Sequence, residues 1–256
     1  MKSAAHVSIR HSPFDTRIFH KECKTLSKNG YEVSFIVPHD LDEIMDNIAI
    51  VSLKKSNNKF YKVFKSIPAA LSKCFETNCD IYHFHDPELI PIGLILKLKN
   101  KKIIYDAHED HPKDVFEKLW PMPFKIIVSI YFSILEKLAS IFFDRIIAAT
   151  SHIALKYSKK KTTLLRNFPI LSLIDKSNEI EIRSKKLLLV YQGGITKLRG
   201  VKQLIESLEY VDENVELLLF GKWEVGFQEE CQKLAGWKKV KYLGIVKQEE
   251  LYGYGK

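Results

Sequence analysis

Short apolar runs with strand character alternate with helical patterns along most of this 256-residue chain. For example, the pattern predicts a strand at residues 81–85, a helix at residues 87–98 and the next strand at residues 103–105. Such alternation is typical of a parallel sheet with helices packed against it. The sequence therefore predicts an α/β fold.

The alternation is interrupted at one place. The RNFP sequence at 166–169 and a polar stretch at 175–186 separate the first series of strands and helices from a second. We therefore predict two Rossmann-like domains, residues 1–170 and residues 171–256. A covered sheet of this kind needs about five or six strands, and the second series offers about three. We expect the second domain to be incomplete and the chain to be truncated at its carboxyl end.

The charge of the chain restricts its partners. A formal net charge of +9 predicts a surface that attracts anions, whether phosphates, acidic lipid headgroups or nucleic acid. The sequence has no recognisable nucleic-acid-binding motif and no strand platform of basic and aromatic residues. We predict no nucleic-acid partner.

The cysteines and the apolar segments indicate in which compartment of the cell the protein is located. Four cysteines form no C-x-x-C pair, which predicts no metal site and fits a reducing cytoplasm. The first ten residues lack the apolar core of a secretory signal. The most apolar run, residues 126–135, is well short of the roughly 20 residues needed to span a bilayer. The sequence therefore predicts a cytoplasmic protein.

Histidine and aspartate residues follow two of the predicted strands. Open α/β sheets bind ligands just outside the carboxyl ends of their strands, which is where His85, Asp86 and His108 lie. For His85 and Asp86 we favour a supporting structural role. His108, inside the sequence DAHED, is a candidate catalytic residue, and the alternative is a histidine held in the loop for structural reasons.

The first strand-to-helix turn contains two further candidates. Asp15 and Arg17 would face the cleft of such a fold and could bind acceptor groups or donor phosphate. Asp15 could equally cap the first helix, because aspartate is common before a helical run. The sequence leaves both interpretations open.

A glycine-rich turn begins the second series. Gly193, Gly194 and Gly200 lie between a predicted strand and a helix, where backbone N–H groups can approach a diphosphate. Arg199 would add a charge-assisted contact to the phosphates, and Lys197 is a second candidate. In the alternative interpretation the glycines make a tight turn and Arg199 lies in solvent.

The helical region at 115–143 combines aromatic and aliphatic residues with several lysines. A basic, aromatic helical surface can lie on an anionic membrane. The alternative is a core helix with its lysines on the solvent side. Both interpretations remain open.

Several segments resemble one family in their order along the chain. They are residues 11–22 (HSPFDTRIFHKE), 80–87 (DIYHFHDP), 104–110 (IYDAHED) and 191–201 (YQGGITKLRGV). These segments resemble, respectively, the first turn, a strand end, the histidine-bearing loop and the phosphate-binding turn of glycosyltransferase family 4. In one respect the chain departs from the family, which often has an arginine where Gly194 stands.

The resemblance implies the GT-B architecture, with an acceptor-side first domain and a nucleotide-sugar-binding second domain. It also implies a retaining hexosyltransferase that works without a cofactor or metal. Sugar would pass from a nucleoside-diphosphate sugar to a glycan or lipid-linked acceptor, in surface polysaccharide synthesis at the inner face of the membrane. The reaction would be a front-side displacement in which His108 orients sugar hydroxyls or stabilises charge.

Two other functions remain open. The resemblance implies that the donor sugar and ribose are held largely by two glutamates separated by seven residues in the later half of the second domain, a part that we expect this chain to lack. The chain could then be a catalytically inactive fragment or a binding module. A nonhydrolysing sugar-nucleotide epimerase shares the two-domain architecture and is the alternative enzyme.

Overall fold

The computed structural model describes residues 2–55, 65–118, 120–171 and 186–246. The chain divides into two compact units, residues 1–168 and residues 169–256. Most of the polar stretch predicted at 175–186 lies outside the described residues.

The first unit is built on a sheet that has eight strands within the described residues. Its order is β3-β4-β2-β1-β5-β6-β7-β8, and every pair except β3–β4 is parallel. The strands are β1 (Ser3–Val7), β2 (Glu32–Pro38), β3 (Glu43–Met45), β4 (Ile48–Leu53), β5 (Ile81–Phe84), β6 (Lys102–Ala107), β7 (Arg145–Ala148) and β8 (Thr162–Leu164).

Helices connect these strands. A π-helical turn, Ile18–Cys23, continues directly into the first α-helix. The α-helices are α1 (Lys24–Lys28), α2 (Ile67–Thr77), α3 (Ile90–Leu98), α4 (His111–Asp114), α5 (Met122–Phe142) and α6 (Ser151–Ala154). Short 3-10 turns, Pro87–Leu89 and Val115–Glu117, precede α3 and follow α4. The predicted alternation of strands and helices is confirmed.

The short strand β3 is not predicted by the sequence. Met45 pairs with Ile48 across a two-residue turn in which Asp46 and Asn47 both have positive φ, 52° and 60°. That geometry is typical of a tight β-hairpin turn, which aspartate and asparagine tolerate well. Three residues are too few for alternation to be visible in the sequence.

Two apolar clusters stabilise the first unit. The larger contains buried residues of the central strands and of α2, α3 and α5. The smaller packs the π-helical turn against β2 and β4. In the larger cluster Gly93 of α3 lies so close to Phe143 that an added Cβ would come within 2.4 Å of the ring. Helix α3 therefore packs against the chain that follows α5 only because residue 93 has no side chain.

The second unit has a three-stranded parallel sheet of order β11-β10-β9 within the described residues. Its strands are β9 (Leu187–Gln192), β10 (Val215–Phe220) and β11 (Val240–Gly244), and its α-helices are α7 (Val201–Ser207) and α8 (Phe227–Cys231). A separate apolar cluster lies between the sheet and these helices. Buried Lys239 donates to three carbonyl oxygens, those of Leu208, Val211 and Asp212.

Helix α5 accounts for most of the region predicted as helical at 115–143. One side is buried, through Phe132, Leu135, Glu136 and Ala139. The other side exposes many apolar side chains, among them Ile126, Ile127, Ile130, Tyr131, Ile134, Ile141 and Phe142. In the described part of the chain no helix is both long enough and apolar enough to cross a membrane.

Candidate functional site

The centre of the first sheet is the point where the strand order reverses. The chain builds outward from β1 through β2 to β4, then returns to place β5 on the other side of β1. Ligands of open α/β sheets bind at such a point, outside the carboxyl ends of the strands. Here those ends lead into the loops that begin at Ser8 and at His85.

Asp86 joins these two loops. Its Oδ2 accepts hydrogen bonds from Ser8 Oγ at 2.9 Å and from the Ile9 N–H at 2.7 Å. The side chain is buried, and Ser8 Oγ in turn accepts from the N–H groups of Arg10 and His11. The carboxylate therefore fixes the course of the chain after β1.

Asp15 caps the π-helical turn. Its Oδ1 accepts from the N–H groups of Arg17 and Ile18, at 2.8 and 2.9 Å. This geometry agrees with helix capping by Asp15, one of the two interpretations that the sequence left open. Contact of Asp15 with an acceptor or a phosphate stays a prediction.

The second oxygen of Asp15 lies 3.2 Å from His11 Nδ1. Burial alone would lower the pKa of His11, but the bond to Asp15 and the nearby carboxylates of Asp86 and Glu109 raise it above its usual value. Burial would raise the pKa of Asp15, but the bond with His11 and two backbone N–H groups lower it to about 2. The pair therefore holds opposite charges at mildly acid pH.

Arg17 is buried rather than open to a ligand. Its Nε and Nη2 donate to the two oxygens of Asp106, at 2.8 and 3.0 Å, and its Nη1 donates to the Leu165 carbonyl at 3.1 Å. This bidentate pair joins the first turn to the end of β6 and to the chain after β8. Contact of Arg17 with an acceptor or a phosphate stays a prediction.

Three buried histidines and a glutamate converge beside this pair. We call His6, Glu22, His83 and His85 the histidine cluster. His6 and His83 are register partners on β1 and β5, and His85 follows β5 directly. Glu22 Oε2 lies 3.7 to 3.9 Å from one nitrogen of each ring. His6 Nδ1 and His85 Nε2 are 2.9 Å apart.

Burial controls protonation in this cluster. It lowers the pKa of all three histidines, that of His83 to about 3, so the rings are neutral at physiological pH. Burial, and then the nearby Asp106 carboxylate, raise the pKa of Glu22 to about 9. Glu22 therefore holds its proton more tightly than an exposed glutamate does.

His108 lies at the more open edge of the same region. It is half-buried, and its ring centroid is 5.2 Å from that of His11 and 6.1 Å from that of His111. Its Nδ1 lies 3.3 Å from the Asp106 carbonyl oxygen, and none of the described residues hydrogen-bonds to its Nε2, the atom that a ligand could contact. Unlike the histidine cluster, this residue is accessible.

A cavity of about 510 Å³ opens next to these loops, at the carboxyl ends of β1, β2 and β4. Basic side chains are prominent in its lining, including Arg10, His39, Lys54 and Lys55. These residues are dispersed along the chain and belong to no motif, so the sequence alone gives no signal for them. A second cavity, about 570 Å³, lies by Asn78 and Lys101, at the amino ends of β5 and β6.

The glycine turn of the second unit is held tightly against the neighbouring strand. An added Cβ on Gly221 would come within 1.7 Å of the Gly193 carbonyl oxygen, and both residues have φ near +140°. The Tyr191 hydroxyl donates to the Gly194 carbonyl at 2.8 Å, which further fixes the turn. Gly200 has a positive φ of 68° and begins α7. The requirement for glycine is thus strict at 193 and 221.

Arg199 and Lys197 have different surroundings. The Arg199 guanidinium lies over Gly193, with Nη1 only 3.2 Å from where a Cβ would be. None of the described residues pairs with it, and the side chain is exposed. Lys197 instead bonds to Glu230 at 2.7 Å. At Gly194 an added Cβ would make only an ordinary contact, at 3.8 Å from Thr196, so the position has room for a side chain.

Sequence reasoning missed four of the residues that this geometry brings together. Glu22, His83 and Asp106 lie within motifs that were recognised, but none of them was singled out, and His6 lies outside those motifs. One signal was available, because His83 and His85 are two positions apart on a strand and must share a face. The other partners come from elements that only the fold brings together.

Comparisons with known proteins agree with this architecture. The sequence profile described as Glycosyltransferase Family 4 matches residues 16–160. No curated protein matches the chain. Among solved structures, sucrose-phosphate synthase from Thermosynechococcus elongatus has a TM-score of 0.77 at 15% identity, with 99% of this chain and 73% of that chain covered.

Two further structures cover 98% of this chain and 71% of their own. Anabaena HepE, solved in complex with UDP-glucose, has a TM-score of 0.67 at 12% identity. UDP-N-acetylglucosamine 2-epimerase from Rickettsia bellii has a TM-score of 0.61, also at 12% identity. At these identities the likeness shows the fold alone, and that fold is the predicted GT-B architecture.

Proposed function

The chain belongs to glycosyltransferase family 4, and from this premise we propose that it transfers a hexose from a nucleoside-diphosphate sugar with retention of configuration. The acceptor in this proposal is a glycan or lipid-linked glycan of surface polysaccharide synthesis. The observation that carries the proposal is the Arg199 guanidinium, which lies over Gly193 in the glycine turn and has no partner among the described residues.

The glycine turn is suited to a diphosphate. Gly193 and Gly200 allow the backbone to approach an anion closely, and the turn leads into the amino end of α7. Arg199 would neutralise charge that develops on the leaving diphosphate. HepE, which shares the fold, was solved with UDP and with UDP-glucose, which supports a nucleotide sugar as the donor.

Lys197 has a lesser role in this proposal. Its bond to Glu230 holds the ammonium group, and it would have to exchange that partner for phosphate. The side chain is exposed and the pair is at the surface, so the exchange costs little. Gly194 contributes only its backbone, where many family members have an arginine.

We assign His108 to the reaction centre. In a front-side displacement no protein nucleophile is required, so the histidine would orient sugar hydroxyls or stabilise charge. The availability of its Nε2 supports this role. The basic cavity beside Arg10 is a candidate region for acceptor groups that carry phosphate.

The proposal also includes contact of the 115–143 region with an anionic membrane. Ile127, Ile130, Ile134 and Ile141 recur at helical spacing on the exposed side of α5, and Lys137 lies among them. An apolar stripe flanked by lysines is typical of a helix that lies in the surface of an anionic bilayer. We propose that α5 rests on the inner face of the cytoplasmic membrane, where a lipid-linked acceptor is found.

Donor binding tests the proposal. Calorimetric titration of the chain with UDP, GDP and dTDP should show saturable binding of at least one of them. Arg199→Ala should weaken that affinity roughly ten- to a hundredfold, because a charge-assisted hydrogen bond contributes about 1.5–3 kcal/mol. Lys233→Ala removes an exposed positive charge elsewhere in the same unit and should leave the affinity unchanged.

Transfer assays complete the test. With the accepted donor, NMR of the product should show the same anomeric configuration as in the donor, and His108→Ala should lower kcat while nucleotide affinity is retained. Inversion at the anomeric carbon would contradict the retaining mechanism. Equal nucleotide affinity in wild type and Arg199→Ala would contradict the assignment of the phosphate site.

One alternative enzyme has an observation in its favour, since two of the similar structures are described as UDP-N-acetylglucosamine 2-epimerases. Incubation with UDP-N-acetylglucosamine distinguishes the two functions. An epimerase converts the sugar at C2 without an acceptor, whereas a transferase leaves it unchanged. Nucleotide binding with neither reaction would indicate the inactive binding module.

A further inference from the structure

The histidine cluster has no part in the proposed sugar transfer, yet it gathers four side chains that can bind a metal. His6, His83, His85 and Glu22 place one ligand atom each within 4.8 Å of one another. All three rings are buried, and the Glu22 side chain is only 9% exposed. A set of neutral imidazoles and one carboxylate is a ligand set that zinc prefers.

The distances between the ligand atoms fit tetrahedral coordination. With Zn–N bonds of about 2.0–2.1 Å, the ligands of a tetrahedral site are separated by about 3.3 Å. Here His6 Nδ1 and His85 Nε2 are 2.9 Å apart, and Glu22 Oε2 lies 3.7 Å from the first and 3.9 Å from the second. His83 Nδ1 is also 3.9 Å from Glu22 Oε2. All four ligand atoms lie within 4.8 Å of one another, so the more distant ones would close in by up to about 1.5 Å around the ion.

Several buried polar atoms of the cluster have no hydrogen-bond partner among the described residues. Neither oxygen of buried Glu22 accepts a hydrogen bond within the described part of the chain. Its Oε1 forms an ion pair with Arg17, whose Nε is 3.2 Å away, and its Oε2 faces the three neutral rings. Buried carboxylate oxygens without a hydrogen-bond partner are unusual in a folded protein.

A second layer of contacts has the form that metal-binding histidines favour. While His85 Nε2 faces the cluster, its Nδ1 lies 3.4 Å from Asp106 Oδ2. A ligating histidine commonly donates its other ring N–H to a carboxylate, which fixes the tautomer and the ring orientation. Asp106 is itself held by the bidentate pair with Arg17.

We propose that the histidine cluster binds one zinc ion through His6 Nδ1, His83 Nδ1, His85 Nε2 and Glu22 Oε2. Four protein ligands complete a tetrahedral site and leave no open position, so the site is structural rather than catalytic. It joins β1, β5 and the π-helical turn. The ion thereby fixes the end of the sheet from which the Asp15 and Asp86 loops begin.

A second group of possible ligands, Glu109, His111 and Asp114, is the natural comparison. Glu109 is exposed, and exposed acidic groups are common in proteins that bind no metal. This second group offers one imidazole and two carboxylates, whereas the histidine cluster offers three imidazoles and one carboxylate. We expect zinc to prefer the buried site, and the two groups can be separated by mutation.

Metal content tests the proposal on the full chain, produced without a histidine tag. Mass spectrometry of the purified protein should find one zinc per chain. Because the ligands are buried, the apo form is prepared by refolding with a chelator. Refolding with zinc chloride should raise Tm, and refolding with Co²⁺ should give the visible ligand-field bands of a tetrahedral ion. No zinc, no change in Tm and no Co²⁺ bands would together overturn the proposal.

Variants then locate the ion. Glu22→Gln and His83→Ala should lose the bound zinc, and Glu109→Gln should retain one per chain. If His83→Ala does not fold, the milder Glu22→Gln and the Co²⁺ spectrum of the wild type still decide. Zinc that persists in Glu22→Gln but is lost in Glu109→Gln would place the ion in the other group and overturn the proposal.

Discussion

Individual side chains in the first unit have more than one task, and Asp106 is the clearest example. One carboxylate accepts two hydrogen bonds from Arg17 and faces His85 Nδ1. Burial alone would favour its protonated form, but His85 and Arg17 hold its pKa well below the usual range. The residue therefore stays ionised and orients both neighbours, as a buried carboxylate must when its partners are charged or polar.

His11 makes a pH-dependent contribution to stability. Its pKa is raised in the folded state, so folding binds its proton more tightly, and the stabilisation is fully present below the unfolded pKa of about 6.5. It is lost as the pH rises through the folded pKa. Urea unfolding should therefore show a larger destabilisation by His11→Gln at pH 5.5 than at pH 8.5.

The exposed His152 supplies the control for this measurement. It lies on the surface of α6, and His152→Gln should give a difference from wild type that is small at both pH values. A His11→Gln difference that stays constant, or grows, as the pH rises would contradict the assignment of the His11–Asp15 pair.

Among the structural elements, the glycine turns impose the strictest requirement on sequence. Gly193 and Gly221 come from the ends of neighbouring strands, and their backbones approach more closely than any Cβ would allow. Gly194, directly beside them, has no such constraint. The turn thus combines one position that only glycine can occupy with one that tolerates other residues.

This contrast gives a matched pair of variants. Gly221→Ala should destabilise the second unit by about 1–3 kcal/mol, because the new methyl group meets a backbone carbonyl and φ is +141°. Gly194→Ala should change stability by less than about 0.5 kcal/mol. Urea denaturation monitored by circular dichroism measures both. Equal effects of the two substitutions would contradict the close approach of the strands.

Helix α5 allows a test of the membrane surface. Sedimentation with phosphatidylglycerol vesicles should carry down the wild type, and Ile127→Asp should lower the sedimented fraction, because it places a charge on a residue that is 64% exposed within the apolar stripe. Leu98→Asp is the control, since Leu98 is 85% exposed but lies at the end of α3.

Two outcomes would count against that surface. Equal sedimentation of Ile127→Asp and Leu98→Asp would mean that α5 does not contact the bilayer. Sedimentation that is the same with neutral phosphatidylcholine would mean that the lysines around α5 do not contribute. High salt should weaken the interaction with the anionic vesicles, because exposed charges are screened.

At the scale of the whole molecule, each unit has a core of its own. Among the described residues, the apolar clusters of the first unit lie between residues 5 and 157, and the cluster of the second unit lies between residues 191 and 240. In the same part of the chain, every strand pair is internal to one unit. An independent core and a complete set of strand partners are what a domain needs to fold alone.

Residues 1–168 should therefore fold when expressed alone. Thermal unfolding followed by circular dichroism should show one cooperative transition, and far-ultraviolet spectra should have the α/β form. A broad transition without cooperativity would contradict the independence of the first unit. If zinc binds the histidine cluster, the isolated unit should retain it, because all four ligands lie within residues 1–168.

The sequence by itself determined the α/β class, most strands and helices, and the glycine turn at 193–200. These features follow from periodicity and turn chemistry, which depend on residues that are neighbours in the chain. A three-residue strand such as β3 is too short for its periodicity to be recognised in the sequence. The truncated appearance of the second series and the roles of Asp15, Arg17, His108 and Arg199 remain expectations from resemblance and pattern.

Only the tertiary structure decided what lies together. The strand order placed β5 beside β1, and that order brings His6 within 2.9 Å of His85, a residue 79 positions away. It also showed that Arg17, which the sequence offered as a ligand-binding residue, is paired with a buried carboxylate. Register and crossovers set such contacts, and both depend on how the whole core packs rather than on any local pattern.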